Sequence, residues 1–192
     1  MTALAILDLG YGNVDSIRLA FARLGIEARL TTAAAVVAAC DRLVLPGVGA
    51  AGFGMEKLRA ANLVDPLRAR RKPILGICLG MQMLFDESEE GDTPLLGLLA
   101  GRVRALQPAP GRPVPHMGWT RIDTANGVGL DAGDYVYFAH SFACDDGPAT
   151  AARADYGGPV VAAVREGHLW GAQFHPERSS AAGSRFLEAF LA

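Results

Sequence analysis

Cys78 lies in the run Gly76-Ile77-Cys78-Leu79-Gly80-Met81-Gln82, directly after the apolar Pro73-Ile74-Leu75. A glycine two residues to either side of a nucleophilic residue, where a short strand gives way to a helix, is the pattern of a nucleophile elbow. Lacking Cβ atoms, Gly76 and Gly80 let strand and helix crowd together while the side chain between them is pushed into a cleft. Unpaired N–H groups at the start of the following helix favour thiolate over thiol, and thiolate is the attacking species. Far downstream, Phe174-His175-Pro176-Glu177 supplies the other groups that such a nucleophile needs. Residues two apart in an extended segment project to one side, so His175 and Glu177 can meet there, with proline stiffening the geometry. An imidazole can take the thiol's proton, and a carboxylate on its second nitrogen fixes the tautomer and stabilises imidazolium. Cys78, His175 and Glu177 therefore predict nucleophilic acyl transfer.

A competing signal is Gly47-Val48-Gly49-Ala50-Ala51-Gly52, which fits the G-x-G-x-x-G dinucleotide fingerprint between a strand and a helix. It follows the third predicted strand instead of opening the fold, and no acidic residue ends the next strand to hold a ribose. A nucleotide-binding α/β protein is thus the weaker alternative. Pro46-Gly47-Val48-Gly49 is better suited to aim backbone N–H groups at negative charge beside the thiolate, as an oxyanion hole. His140 and Ser141, which follow the alternating Tyr135-Val136-Tyr137-Phe138-Ala139, read equally as loop residues or ligand contacts. Trp119 is either core or partner surface. Cys40 and Cys144 have neither elbow nor basic partner and read as inert; His168 reads as an exposed hairpin residue.

These groups must be carried by a framework, and the 192 residues, 51% hydrophobic and 20% charged, suffice for one soluble domain over residues 1–192. Ala3–Leu7, Ile26–Leu30, Arg42–Leu45 and the strand before Cys78 alternate with helices. Asn13 is placed to cap the first helix, and helices are expected near 33–40, 55–60, 63–71 and 79–85. This order predicts an α/β fold with a mixed, mostly parallel sheet flanked by helices. Residues 86–94 read as an acidic loop. After Gly101 the texture changes to short strands at 103–106, 117–122, 135–139, 151–156, 160–164 and 168–174, the last two forming a hairpin at Glu166-Gly167. These add antiparallel strands in the C-terminal half, and Ser179 or Ser180 caps a final helix. A net charge of −2 offers no nucleic-acid footprint or polybasic membrane patch, and no apolar run reaches the ~20 residues of a bilayer span. Three scattered cysteines make neither a disulfide framework nor a metal site, which suits a reducing cytoplasm.

Taken together, the chain resembles the class I, triad-type glutamine amidotransferases. More narrowly it is similar to the glutaminase subunits of imidazole glycerol phosphate synthase, which serve histidine biosynthesis. The resemblance rests on Asp8-Leu9-Gly10-Tyr11-Gly12-Asn13, Leu45-Pro46-Gly47-Val48-Gly49, the Cys78 elbow, Pro115-His116-Met117-Gly118-Trp119, Tyr137-Phe138-Ala139-His140-Ser141-Phe142 and Gln173-Phe174-His175-Pro176-Glu177-Arg178-Ser179-Ser180, in the family's order. Two departures stand out: Thr120 replaces a usual asparagine and Ala51 a usual aromatic. The resemblance implies that Cys78 attacks the carboxamide of L-glutamine, with His175 as base and then acid and Glu177 orienting it. It implies an oxyanion hole from the Leu79 N–H and a donor at Val48, and substrate contacts from Gly49, Gln82, Ser141 and Phe142. No metal or organic cofactor is implied. The ammonia is passed to a (β/α)8-barrel cyclase subunit in a heterodimer, with Asn13, Met117, Trp119 and Tyr137 as candidate interface residues. A glutaminase subunit serving another ammonia-using enzyme is the nearest enzymatic alternative.

Overall fold

Side chains that alternate along short strands divide the interior into two layers. Leu4, Ile6 and Val44 face one core, and Ala5, Leu7, Leu43 and Leu45 face the other. Strands covered on both faces read as nearly continuous apolar runs, as these do. The computed structural model describes residues 3–192. Its first part alternates strands with helices, two helices standing between β3 and β4: β1 (Leu4–Leu7), α1 (Val14–Arg23), β2 (Ala28–Thr31), α2 (Ala34–Ala39), β3 (Arg42–Gly47), α3 (Ala51–Ala60), α4 (Val64–Ala69), β4 (Ile74–Cys78) and α5 (Leu79–Gln82). Short strands follow: β5 (Glu87–Ser88), β6 (Thr93–Pro94), β7 (Arg102–Ala105), β8 (His116–Ala125), β9 (Tyr135–His140), β10 (Phe142–Cys144), β11 (Thr150–Asp155), β12 (Pro159–Glu166) and β13 (Leu169–Ala172). A 3-10 turn at Pro176–Arg178 leads into α6 (Ser180–Leu191).

One nine-stranded sheet runs through the molecule in the order β2-β1-β3-β4-β13-β12-β11-β8-β9. From β2 to β13 neighbouring strands are parallel, and from β13 to β9 they are antiparallel. Helix α1 (through Ile17 and Phe21) and α6 (through Phe186 and Phe190) pack on one face. The other face receives α2, α3 and α4 through Val37, Met55, Leu58 and Leu67. The α/β sheet flanked by helices and the hairpin at Glu166-Gly167 are as expected from the sequence.

Several local expectations are corrected. Residues 86–94 contain β5 and β6, part of a second sheet in the order β10-β7-β5-β6, whose two-residue strands are too short for any periodicity. Helix α5 ends at Gln82, because the 95–99 segment turns back and donates N–H groups to Met83, Leu84 and Phe85 carbonyls. The glycine-rich stretch stops at Ala51, where α3 begins; the Glu90 carboxylate accepts the Ala51 N–H at 2.7 Å. Asn13 precedes α1 but its side chain makes no capping bond. Ser179 precedes α6 likewise, with its hydroxyl engaged elsewhere. His168 is half-buried, and its Nε2 is enclosed without a partner among the described residues, in contrast to the exposed hairpin residue expected.

Candidate active site

β4 and β13 lie side by side in the middle of the sheet, with Gly76 opposite Gly171. Both strands therefore deliver their C-terminal ends to the same edge, the position where open α/β sheets carry their sites. Cys78 ends β4, and its backbone turns at φ 55°, ψ −114° before α5 starts. Such an angle is strained for a residue with a Cβ, by ~1–3 kcal/mol, and is found where packing imposes it. Here the glycines impose it. A Cβ on Gly76 would stand 2.4 Å from the Gly80 carbonyl oxygen, and one on Gly171 2.5 Å from Met81 Cγ. Helix α5 thus sinks against β3, β4 and β13, leaving the Cys78 side chain at the crest.

His175 and Glu177 follow β13. His175 is extended, but Pro176–Arg178 is a 3-10 turn, so Glu177 comes round to the imidazole by a turn and not by strand alternation. The His175 Nδ1–H donates to Glu177 Oε1 at 2.9 Å, leaving Nε2 for the sulfur. The Glu177 side chain is only 1% exposed and its Oε2 has no hydrogen-bond partner among the described residues. Burial works against the charged form of His175; the hydrogen bonds and charges of Cys78 and Glu177 outweigh it and carry the imidazolium up to about 10. Ser179 fixes this segment from behind: its hydroxyl donates to the His175 carbonyl at 2.7 Å and accepts the Tyr137 N–H at 3.0 Å. The His175 N–H in turn donates to the Tyr137 carbonyl.

The sulfur opens on a cleft of about 620 Å³. Its walls bring together Cys78, His175 and Glu177 with Val48, Gly49, Leu79, Gln82, Ser141 and Phe142, so every residue that the sequence nominated for catalysis, oxyanion binding or substrate lines one space. Gly49 turns at φ 84°, a conformation that favours glycine, and Gly47 abuts α5, where a Cβ would lie 2.8 Å from the Gly80 nitrogen. The G-x-G-x-x-G run is therefore a packing and turn device beside the sulfur. Asn13 and Met117 also line the mouth. Met117 is 64% and Trp119 51% exposed, which decides the reading of Trp119: it is surface, not core. Tyr137 is half-buried, packed edge-on against Trp119 and covered by the Arg178 guanidinium.

Two contributors, Gln173 and Glu90, were not legible as site residues, and a third, Gln82, has an orientation that the sequence does not show. Gln173 is fully buried and presents its amide N–H to Cys78 Sγ at 3.8 Å. It lies two residues before His175, a spacing that could have signalled it. Gln82 Nε2 donates to both Gln173 Oε1 and the Phe142 carbonyl, each at 2.9 Å, so its two N–H groups are spent and its oxygen is left for a ligand. Glu90 reaches the cleft from the loop between β5 and β6, and only the second sheet puts it there. The two other cysteines are buried; burial raises the Cys40 thiol, and raises Cys144 far above the ordinary range.

Residues 5–192 match the family model described as glutamine amidotransferase class-I. A relative called imidazole glycerol phosphate synthase subunit HisH, from Xanthomonas axonopodis pv. citri (strain 306), is 48% identical across the whole chain and 98% of its own length. The protein of the same name from Xylella fastidiosa (strain Temecula1) is also 48% identical over the same shares. Among solved structures, one described as a glutamine amidotransferase superposes with a TM-score of 0.79 at 22% identity, covering 98% of this chain and 97% of the other. A glutamine amidotransferase from Thermotoga maritima superposes at 0.62 with 17% identity, covering 100% of this chain and 84% of the other. At those identities the structures speak to the fold alone.

Proposed function

The chain belongs to the class-I glutamine amidotransferases, and on that footing we propose that it is the glutaminase subunit of an imidazole glycerol phosphate synthase. One observation carries the chemistry: a strained cysteine and a Glu177-oriented His175 open on one cleft at the C-terminal edge of adjacent strands. The proton that Cys78 gives up rests on His175. The sulfur attacks the carboxamide carbon of glutamine, and the C–O π electrons move to oxygen, which the N–H groups of Leu79 and Val48 receive. Collapse of that intermediate breaks the C–N bond while His175 delivers its proton to the departing ammonia. Water, deprotonated by His175, then cleaves the thioester to release glutamate and restore the thiol.

Substrate orientation follows from charge. Glu177 is committed to His175, and Glu90, whose Oε2 accepts the Ala51 N–H, keeps its Oε1 to face the α-ammonium of glutamine, beside the spare oxygen of Gln82. Gly49, Ser141 and Phe142 close the remaining wall. Ammonia passes to a (β/α)8-barrel cyclase in a heterodimer, docked over the exposed Met117 and Trp119 with Asn13 and Tyr137 at the rim. The names of the 48%-identical relatives, each a synthase subunit, support this partner. A cytoplasmic location agrees with that role, and no helix among the described residues is long and apolar enough to cross a membrane. The test is glutamate release from glutamine by the chain alone, with purified cyclase, and with cyclase plus its ribonucleotide substrate. Absence of hydrolysis in all three arms overturns the reading.

A further inference from the structure

Two buried histidines that the reaction above does not use form a directed chain ending on the substrate wall. The Phe142 carbonyl can only accept, so the bond from His140 Nδ1 at 2.8 Å must be donated by the ring. The neutral ring's Nε2 is then an acceptor, and the 2.9 Å contact with His116 is a bond from His116 Nδ1–H. His116 Nε2 is in turn an acceptor, and the Thr120 hydroxyl 2.7 Å away is its donor. Every proton in the series is thereby assigned, from Thr120 through His116 and His140 to Phe142. Both rings are held in place: His116 is stacked between Phe138 and Tyr156, at 4.6 and 3.7 Å between centroids. The Phe142 carbonyl also accepts one N–H of Gln82, whose other N–H meets Gln173 Oε1, and Gln173 in turn faces Cys78 Sγ. A carbonyl pinned by two donors thus decides which end of the Gln82 amide faces the cleft.

We propose that His116 and His140 are positioning residues for the glutamine-binding wall: as Nδ1–H tautomers they hold the Phe142 carbonyl, and through it the orientation of Gln82. Were His140 protonated on Nε2 instead, a bare Nδ1 would face the carbonyl oxygen, the peptide would rotate away, and Gln82 would lose the partner that points its oxygen at the substrate. Neither histidine touches a reacting atom. The inference rests on the glutaminase reading, because it concerns where glutamine binds. Its mark is therefore on KM for glutamine and not on the chemical step.

The experiment has a spectroscopic arm and a kinetic arm. Long-range 1H–15N correlation on the wild-type chain should find both rings as Nδ1–H tautomers at neutral pH; an Nε2–H tautomer at either position overturns the proposal. Steady-state glutamine hydrolysis with saturating cyclase should find KM raised about tenfold in His140→Leu, the loss of one well-placed hydrogen bond, with kcat changed less than threefold. His140→Asn places an amide N–H where Nδ1–H was and should bring KM back within about threefold of wild type. His140→Gln, whose amide falls at the Nε2 position, should not. Equal effects of Asn and Gln, or a folded His140→Leu chain with unchanged KM, overturn the proposal. Should the leucine variant not fold, the Asn-to-Gln comparison and the wild-type tautomers decide alone. Wild-type chain inert toward glutamine sinks the glutaminase reading itself, while the tautomer result still stands or falls separately.

Discussion

Gly80 lies so close to Leu45 that a Cβ on the glycine would sit 1.8 Å from the Leu45 carbonyl oxygen. The obstacle is backbone in the sheet's centre, which cannot step aside. Gly80→Ala should therefore destabilise by about 3 kcal/mol or more and misplace Cys78 in whatever folded fraction remains. Gly52→Ala is the control: its Cβ would meet only Thr93 Oγ1 at 3.5 Å. Urea unfolding of both variants checks the contrast, and equal stabilities would contradict the packing of α5 described above.

Cys78→Ala should abolish glutamine hydrolysis while leaving the fold and ammonia-dependent cyclase activity intact, since only the ammonia source is lost. Cys78→Gly should be equally inactive yet more stable than Cys78→Ala by about 1 kcal/mol, because relief of the strain at φ 55° exceeds the extra chain entropy that glycine loses on folding. Thermal melts of the pair measure that difference directly.

His175→Ala should be nearly inactive. Glu177→Gln should lose about 100-fold or more and stay measurable, because the carboxylate orients and stabilises the imidazolium without exchanging a proton with substrate. The same carboxylate helps hold His175 up to about 10, so Glu177→Gln should lower that pKa in an NMR titration of the ring. Because the folded value lies above the ordinary 6.5, the stabilisation from charged His175 is complete below pH 6.5 and fades as pH rises through about 10. Equal, mild losses in both variants would make the His-Pro-Glu turn structural.

The acid side belongs to the other pair. Burial lowers His116 to about 4, with His140 adding to it; burial also lowers His140 to about 4, despite its bond to Phe142. The unfolded chain takes up these protons first, so stability should fall as pH drops from 6.5 towards 4. Urea midpoints across that window should slope less in His116→Phe than in wild type.

Near the mouth of the cleft, Trp119→Ala should weaken cyclase binding about tenfold or more without unfolding the chain, as the proposed interface role of this exposed aromatic implies. Calorimetry with the purified cyclase measures it. The isolated chain should release glutamate more slowly than the complex; equal rates would mean an independent amidase.

The proposed catalytic trio was legible as a candidate because its constraints are local: two glycines around Cys78, and two side chains separated by one proline. What escaped was either nonlocal or the wrong shape for a periodicity argument. Glu90 reaches the cleft on a loop between two-residue strands, a length at which no alternation can register. Strand alternation is the wrong reason for Glu177 to lie beside His175, since it is an extended His175 leading straight into a 3-10 turn that brings the carboxylate to the imidazole. His140 and Ser141 are ambiguous in sequence; both line the cleft, and burial separates them, with His140 buried and tied to His116 and Ser141 half-buried. The glycine-rich loop looks longer in sequence than it is, because Gly52 and Gly54 resemble a turn. Gly54 instead sits in α3, where a Cβ would crowd Met83 and Leu79.

The sheet's middle strand is supplied late. β13 pairs with β4 on one side and β12 on the other, yet it follows every other strand in the sequence. During synthesis β3 is the one sheet partner of the apolar Ile74-Leu75 segment of β4 that is already made, and the partner of its second edge is absent until Leu169–Ala172 follow. A bare apolar edge is a template for any other extended chain nearby. Translation that stalls between residues 82 and 168 would thus yield sticky fragments, and the interval needing a chaperone's cover is set by how long that stretch takes to synthesise.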